Sequence, residues 1–255
     1  MKLQFALNSA VLSFLAFILS CHNVNAKLAP DFIIPCNDTS RECLLKSTQA
    51  AIPGFAKGLP DLGVPVLDPF YIKKVSIPLN GIDISFYNGK ASGFSTCIVD
   101  DIASLLEKRK FMMEFHCNLT IKGNYAANGQ LFFLPIDGYG NAVIKLTNMR
   151  MKIDINSEYK LDKNNLHHFS FKNYNYTFDY GDRVTFDIEN IFQQSKQLSD
   201  TVNDFMNKNW KLVTSEFGKS IVDYATALAV KAIAKFFVAV PCEELINVPI
   251  PDYKP

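Results

Sequence analysis

The segment from Trp210 to Val240 constrains this chain more than any other. Apolar side chains recur at Trp210, Val213, Phe217, Ile221, Tyr224 and Leu228, then drift round to Ile233, Phe237 and Val240. That spacing predicts one continuous helix. About 31 residues at the α-helical rise make a rod of ~46 Å. Lys231 and Lys235 interrupt its most apolar part, so it offers no uninterrupted run of the ~20 apolar residues needed to cross a bilayer. A long helix this apolar has to be enclosed by the rest of its own chain.

The enclosure is supplied by the stretch from Phe70 to Ile188, where the apolar period changes to two. Phe111, Met113, Phe115, Cys117, Leu119 and Ile121 alternate with Met112, Glu114, His116, Asn118, Thr120 and Lys122. Thr147, Met149, Met151, Ile153 and Ile155 alternate with Asn148, Arg150, Lys152 and Asp154. Tyr174, Tyr176, Phe178 and Tyr180 do so with Asn175, Thr177 and Asp179. One greasy and one polar face is the signature of a half-buried strand. The alternating runs exceed the usual strand length of about five or six residues, which suits a single curved antiparallel sheet. Asn80-Gly81, Asn88-Gly89, Asn128-Gly129 and Tyr180-Gly181 are read as hairpin signals. The fold class is α+β: a long C-terminal helix wrapped in a strongly curved antiparallel sheet.

Ahead of the strands, a first helix is expected to begin near Ser40 or Arg41, capped by Thr39 or Ser40, with Pro53 kinking or restarting it. Residues 1–26 read as a signal peptide: Lys2, an apolar core from Phe5 to Leu19, and Val24-Asn25-Ala26 before the cut. Residues 27–255 then form one domain, secreted into an extracellular fluid. Cys36–Cys43 and Cys97–Cys117 are the expected disulfides, the second joined across a strand–turn–strand centred near Glu107, and Cys242 is left over. Asn37, Asn118 and Asn175 each begin an N-x-[ST] sequon and are candidate glycosylation sites.

Several functions are disfavoured. Removing residues 1–26 takes away Lys2 and no acid, so the 26 basic residues fall by one to match the 25 acidic ones. No basic cluster suggests a nucleic-acid partner. Gly93-Phe94-Ser95-Thr96-Cys97 starts like a nucleophile elbow but lacks its last glycine. His116, His167 and His168 have neither metal-ligand nor triad spacing, and Asp100-Asp101 reads as a solvated pair near a hairpin. No catalytic residue, metal or cofactor is expected.

The chain resembles the insect takeout / juvenile hormone-binding protein family. The resemblance rests on Cys36 and Cys43 before the first helix, on the run from Gly58-Leu59-Pro60-Asp61-Leu62-Gly63 to Asp68-Pro69-Phe70, and on Leu119-Thr120-Ile121-Lys122-Gly123-Asn124-Tyr125. It continues through Gly129-Gln130-Leu131, Leu134-Pro135-Ile136-Asp137-Gly138-Tyr139-Gly140 and Asn209-Trp210. It implies a super-roll of the kind found in larger (TULIP-like) lipid-transfer proteins. The implied function is that of a carrier of a small lipophilic ligand: a terpenoid hormone, a fatty-acid-like molecule or an odorant, in haemolymph or another fluid. The physical reading agrees, because methionine and phenylalanine line a space without imposing fixed polar partners. The expected tunnel lining is Phe111, Met113, Phe115, Met149, Met151, Ile153, Phe217, Tyr224 and Leu228. The competing reading is a secreted protein that contacts a membrane or a receptor without enclosing a ligand.

Overall fold

A computed structural model describes residues 27–79, 81–131 and 134–251; the segment read as a signal peptide lies outside them. Helix α1 (Arg41–Ala56) starts where Ser40 accepts a hydrogen bond from the Cys43 N–H at 3.3 Å, meeting one of the helix's unpaired N-terminal donors. The helix runs on through Pro53 instead of restarting there. The Cys36–Cys43 disulfide ties its first turn to the preceding segment. That segment is bonded to the other end of the chain: Asn247 N–H donates to the Cys36 carbonyl at 2.6 Å, and Glu244 accepts from the Leu28 and Ala29 N–H groups.

Among the described residues, seven strands form one antiparallel sheet: β1 (Phe70–Leu79), β2 (Ile82–Ser92), β3 (Ile98–Leu105), β4 (Lys110–Leu131), β5 (Leu134–Leu161), β6 (His167–Asp179) and β7 (Arg183–Ile188). β4 and β5 are its spine, pairing from Lys110↔Asn156 to Leu131↔Leu134. Each long strand carries two partners in succession. β3 pairs with the first part of β4 and β2 with the second; β6 pairs with the last part of β5 and β7 with a preceding stretch. The register slips between Cys117 and Leu119, where the Asn148 N–H donates to Asn118 Oδ1 at 2.8 Å and Asn148 takes φ 58°. Such a bulge raises the local twist and bends the strand. Bending is obligatory: the 28 residues of β5 would reach ~90 Å if straight. The long helix they enclose spans only about half of that.

That helix is α3 (Trp210–Ala239), preceded by α2 (Lys196–Lys208). α3 packs against β1 at one edge of the sheet and against β6 and β7 at the other. The sheet curls but does not close on itself, and the helix sits in its seam. α2 protects the exposed edge of β7 with two side chains one helical turn apart. Asn203 accepts from the Ile188 N–H at 3.0 Å and donates to the Ile188 carbonyl at 2.6 Å. Asn207 does the same for Phe186 at 2.9 and 2.7 Å. Two amides thus stand in for a missing strand.

Burial along α3 corrects the expected helix face. Trp210 and Val213 are buried, but the stripe continues through Thr214, Val222, Thr226, Val230, Ala232, Phe236 and Val240, in place of Phe217, Ile221, Tyr224 and Leu228. The i, i+4 steps from Val222 to Val230 make the stripe wind around the helix. Two turn expectations also change. Asn88-Gly89 is a bulge inside β2, with the register shifting between Tyr87 and Lys90. Asn128-Gly129 lies inside β4, paired to Asp83 and Ile82. Gly129 has φ 145°, and a Cβ there would fall 2.1 Å from the Gly81 carbonyl, so only glycine fits.

Candidate functional site: the aromatic face of the sheet and its seam

The cross-strand register gathers residues from three strands into one apolar platform. Phe111 faces Ile155, which faces Tyr174; Met113 faces Ile153 and Tyr176; Phe115 faces Met151 and Phe178. The platform packs toward α3. Ile153 and Ile155 cluster with Val230, and Met149 clusters with Val222 and Trp210. The β-pleat explains this grouping, because residues two apart share a face and each register row adds one residue per strand.

Ile153, Ile155 and Met149 are buried, whereas Phe111, Met113, Phe115, Met151, Tyr174, Tyr176 and Phe178 remain partly accessible although they face the helix side. Many of the buried side chains among the described residues group into four clusters. Along α3 the first takes Trp210 and Val222, a second Val230, and another Ala232 and Phe236, with Val240 just beyond the helix. Tyr176 packs against both the first and the second.

Phe111, Met113, Phe115, Met149, Met151 and Ile153, all expected as lining, come together on this platform. Phe217 and Leu228 are half-buried outside the four clusters. Tyr224 is 38% exposed and, like Phe217 and Leu228, stands outside the four clusters. Tyr174, Tyr176 and Phe178 belong to the platform and were not among the expected lining residues, although their alternation was visible. Their rings form a ladder, with centroids 6.3 Å apart between Tyr174 and Tyr176 and 6.2 Å between Tyr176 and Phe178. Tyr180 meets Phe178 edge-on at 5.2 Å.

At the seam the ladder meets charge. An open groove at the β6 edge is lined by Tyr174, Asn175, Tyr176, Thr177, Phe178 and Lys219. Lys219 reaches Asp223, one turn on, at 2.8 Å, and the Tyr176 hydroxyl donates to the same carboxylate. The hydrogen bond from Lys219, then that from Tyr176, hold the Asp223 carboxyl below the usual range. Burial, then the bond to Asp223, push the Tyr176 phenol up to about 12. Burial, then the Asp223 charge, do the same for Tyr180. The Tyr180 hydroxyl is buried without a hydrogen-bond partner, as is the Thr226 hydroxyl. Tyr180 fits there because its neighbour on the helix is Gly218, where a Cβ would fall 1.8 Å from the hydroxyl.

The remaining candidates lie elsewhere. Cys97–Cys117 is formed and Cys242 is a buried free thiol. Burial, then the nearby Glu243, raise that thiol to about 12. Asn37, Asn118 and Asn175 are exposed. Asp100 and Asp101 are not merely solvated: Asp100 meets His116 Nδ1 at 2.8 Å and Asp101 meets Arg41 at 2.5 Å. His167 meets Glu243 at 2.7 Å. Ser95 donates to Asp68 at 2.5 Å, within a turn whose Gly93 and Ser95 N–H groups bond the same carboxylate. Among the described residues no group of three or more His, Cys, Asp or Glu is placed to hold a metal, and no helix is long and apolar enough to cross a membrane.

Residues 12–247 match the family model described as haemolymph juvenile hormone binding protein. The chain belongs to that family. Its fold is shared with the crystal structure of Takeout 1 from Epiphyas postvittana, at a TM-score of 0.79 and 36% identity over 84% of this chain and 99% of that one. The circadian clock-controlled protein daywake of Drosophila melanogaster is 22% identical over 92% of both chains. Its Drosophila yakuba counterpart is also 22% identical, over 89% of this chain and 92% of its own. The family is one of binding proteins for lipophilic ligands.

Proposed function

We propose that the protein is a secreted, non-enzymatic carrier that encloses one small lipophilic molecule, such as a terpenoid or a fatty-acid-like chain, in an apolar tunnel between the sheet and α3. The observation that carries this reading is the incomplete burial of Phe111, Met113, Phe115, Met151 and Phe178 on a face turned toward the helix. Large apolar side chains in that position normally seal against their neighbours. Left partly accessible, they lose contacts that a guest would restore. Membership in a family of lipophilic-ligand binders supports the same reading.

A guest that removes ~400 Å² of apolar surface from water gains ~10 kcal/mol, less an association cost of ~4 kcal/mol or more. Micromolar binding needs about 8 kcal/mol net, so the guest must bury roughly 500 Å² or more. Exposed Asn37, Asn118 and Asn175 fit a glycosylated extracellular protein. The test is titration of the delipidated protein with an apolar fluorophore such as N-phenyl-1-naphthylamine, beside native mass spectrometry of the protein as secreted. Saturable probe binding at one site, and a co-purified lipid mass, are expected. A protein that leaves the probe dark, with no extra mass, would overturn the carrier reading.

A further inference from the structure

An open strand edge invites pairing with another chain unless something blocks it, and nearly every edge of this sheet is blocked. The β7 edge is capped by Asn203 and Asn207. At the start of β3, Gln49 of α1 donates to the Cys97 carbonyl at 3.0 Å and accepts from the Val99 N–H at 2.8 Å. Arg41 donates to the Asp100 carbonyl beside them at 2.6 Å. β1 presents exposed Lys73 and Lys74, charges that oppose strand addition. The first part of β6 is guarded as well. Glu243 accepts from the His167 N–H at 3.1 Å, and the Phe169 N–H bonds the Cys242 sulfur. Phe237 lies against Phe169 and Phe171, with ring centroids at 5.6 and 5.5 Å. The guard stops there. From Tyr174 to Phe178 no side chain among the described residues hydrogen-bonds the backbone of β6, and the edge opens into the groove that it shares with Lys219.

We propose that the missing guard is the chain's own N-glycan, carried on Asn175 and seated in this groove. The inference rests on the reading of the protein as secreted. Asn175-Tyr176-Thr177 is a sequon, and its first and third residues both line the groove, so a sugar attached here begins at the open edge. The other two sequon asparagines already use their amides: Asn37 accepts from Asn247, and Asn118 from the Asn148 N–H. The exposed Asn175 amide has no partner among the described residues, and a sugar on it breaks no native contact. In the transfer, Asn175 Nδ2 bonds to the anomeric carbon of an oligosaccharide delivered on a lipid pyrophosphate. The bond from that carbon to the pyrophosphate oxygen breaks, and the released pyrophosphate takes the amide proton. An N-acetylglucosamine suits the groove chemically. Its apolar ring face matches Tyr174 and Tyr176, and its hydroxyl and acetamide oxygens can accept from the Lys219 ammonium. A bulky, solvated group at this place keeps a second strand away without adding apolar surface.

The experiment secretes the full chain from cultured insect cells, reads its glycopeptides by mass spectrometry and follows its mass by light scattering over a concentration series. Asn175 is expected to carry an N-acetylhexosamine core. Thr177→Val removes the sequon but keeps a β-branched side chain in the strand; its apparent mass should rise about twofold or more with concentration as bare edges pair. Thr177→Ser keeps the sequon and should behave as the unaltered protein does. Thr177→Glu also loses the sugar but sets a charge on the edge, opposite Lys152, and should not associate. Thr120→Val, which removes the sequon at Asn118, should leave the mass unchanged apart from any sugar lost. Retention of Thr177→Val in the cells as aggregate, with Thr177→Glu secreted normally, would support the edge role equally. An unmodified Asn175 in a secreted protein would overturn the inference and leave the extracellular reading intact. A chain kept inside the cells, with none of its three sequons modified, would remove both. A Thr177→Val protein that stays as dispersed as the unaltered one, or valine and glutamate variants that associate alike, would overturn the guarding role.

Discussion

Replacing Tyr180 by phenylalanine should make the ligand-free protein more stable, which is the reverse of the usual outcome for a buried tyrosine. The Tyr180 hydroxyl is buried and makes no hydrogen bond. A polar group left in that state costs about 1–3 kcal/mol. Phenylalanine keeps the edge-on contact with Phe178 at 5.2 Å and the close packing on Gly218, and discards only the unpaired oxygen. A gain of about 1 kcal/mol is expected, which for a domain of this size raises Tm by about 2–4 °C. Tyr125 is the matched control. It is 6% exposed, and its hydroxyl donates to the Glu189 carbonyl at 2.6 Å. Tyr125→Phe therefore breaks a bond and strands a carbonyl, at a cost of about 1–2 kcal/mol. Urea unfolding of delipidated protein, followed by far-UV circular dichroism, measures both changes as shifts in midpoint at constant slope. Opposite signs support the reasoning. If Tyr180→Phe loses as much stability as Tyr125→Phe, the Tyr180 hydroxyl has a partner in solution and is not an unsatisfied group.

Three further outcomes follow from other parts of the fold. Asn207→Ala removes the surrogate pairing of Phe186 and should cost about 1–3 kcal/mol, with faster amide exchange of the Phe186 N–H than of the central β4 amides; exchange unchanged at Phe186 would show that the side chain does not cap the edge. Raising the pH should destabilise the protein between about 10 and 12, because Tyr125, Tyr159, Tyr176 and Tyr180 have phenols pushed up to about 12, chiefly by burial. Their neutral forms favour the fold fully below the unfolded value and that contribution disappears as pH rises through the folded one; tyrosinate absorbance rising in a single step at the unperturbed value, with no delayed group, would contradict this. Met151→Trp should fill the centre of the Phe115–Met151–Phe178 row and weaken apolar probe binding by about tenfold or more, whereas Tyr224→Ala should leave it within about twofold; equal effects from the two would relocate the site to the outer side of α3.

The contrast between β4 and α3 shows why some of this architecture is legible in the residues and some is not. A strand with one face toward a helix and one toward water must alternate, so Phe111 to Lys122 declares its inner side by chemistry alone. A helix set in the seam of a curled sheet, with β1 on one side and β6 and β7 on the other, has no single dry face to declare. Its buried stripe steps by four from Val222 through Thr226 to Val230 and winds around the rod. Thr226 looks like a surface residue and is 4% exposed, while Tyr224 looks like a core residue and is 38% exposed. The turn signals fail for a related reason. Asn88-Gly89 and Asn128-Gly129 describe local backbone freedom, and strands as long as the 11-residue β2 and the 22-residue β4 need such freedom within themselves in order to bend.

The seam was the least legible part, because no local pattern records that β1 and β6, far apart in sequence, would come to border the same helix. The Lys219 and Asp223 pair, one turn apart, could have been noticed, but its link to Tyr176 spans 47 residues. The location nonetheless has a physical logic. A sheet that curls without closing leaves two rows of unpaired backbone groups, and polar side chains can be kept there at less cost than anywhere on the platform. A carrier built on this plan would keep its capacity on the platform and its charges at the edge. Met151→Trp should therefore weaken apolar probe binding while Asp223→Asn leaves it within about twofold. The double variant should bind the probe as Met151→Trp does; strong coupling between the two positions would mean that the seam is part of the apolar site.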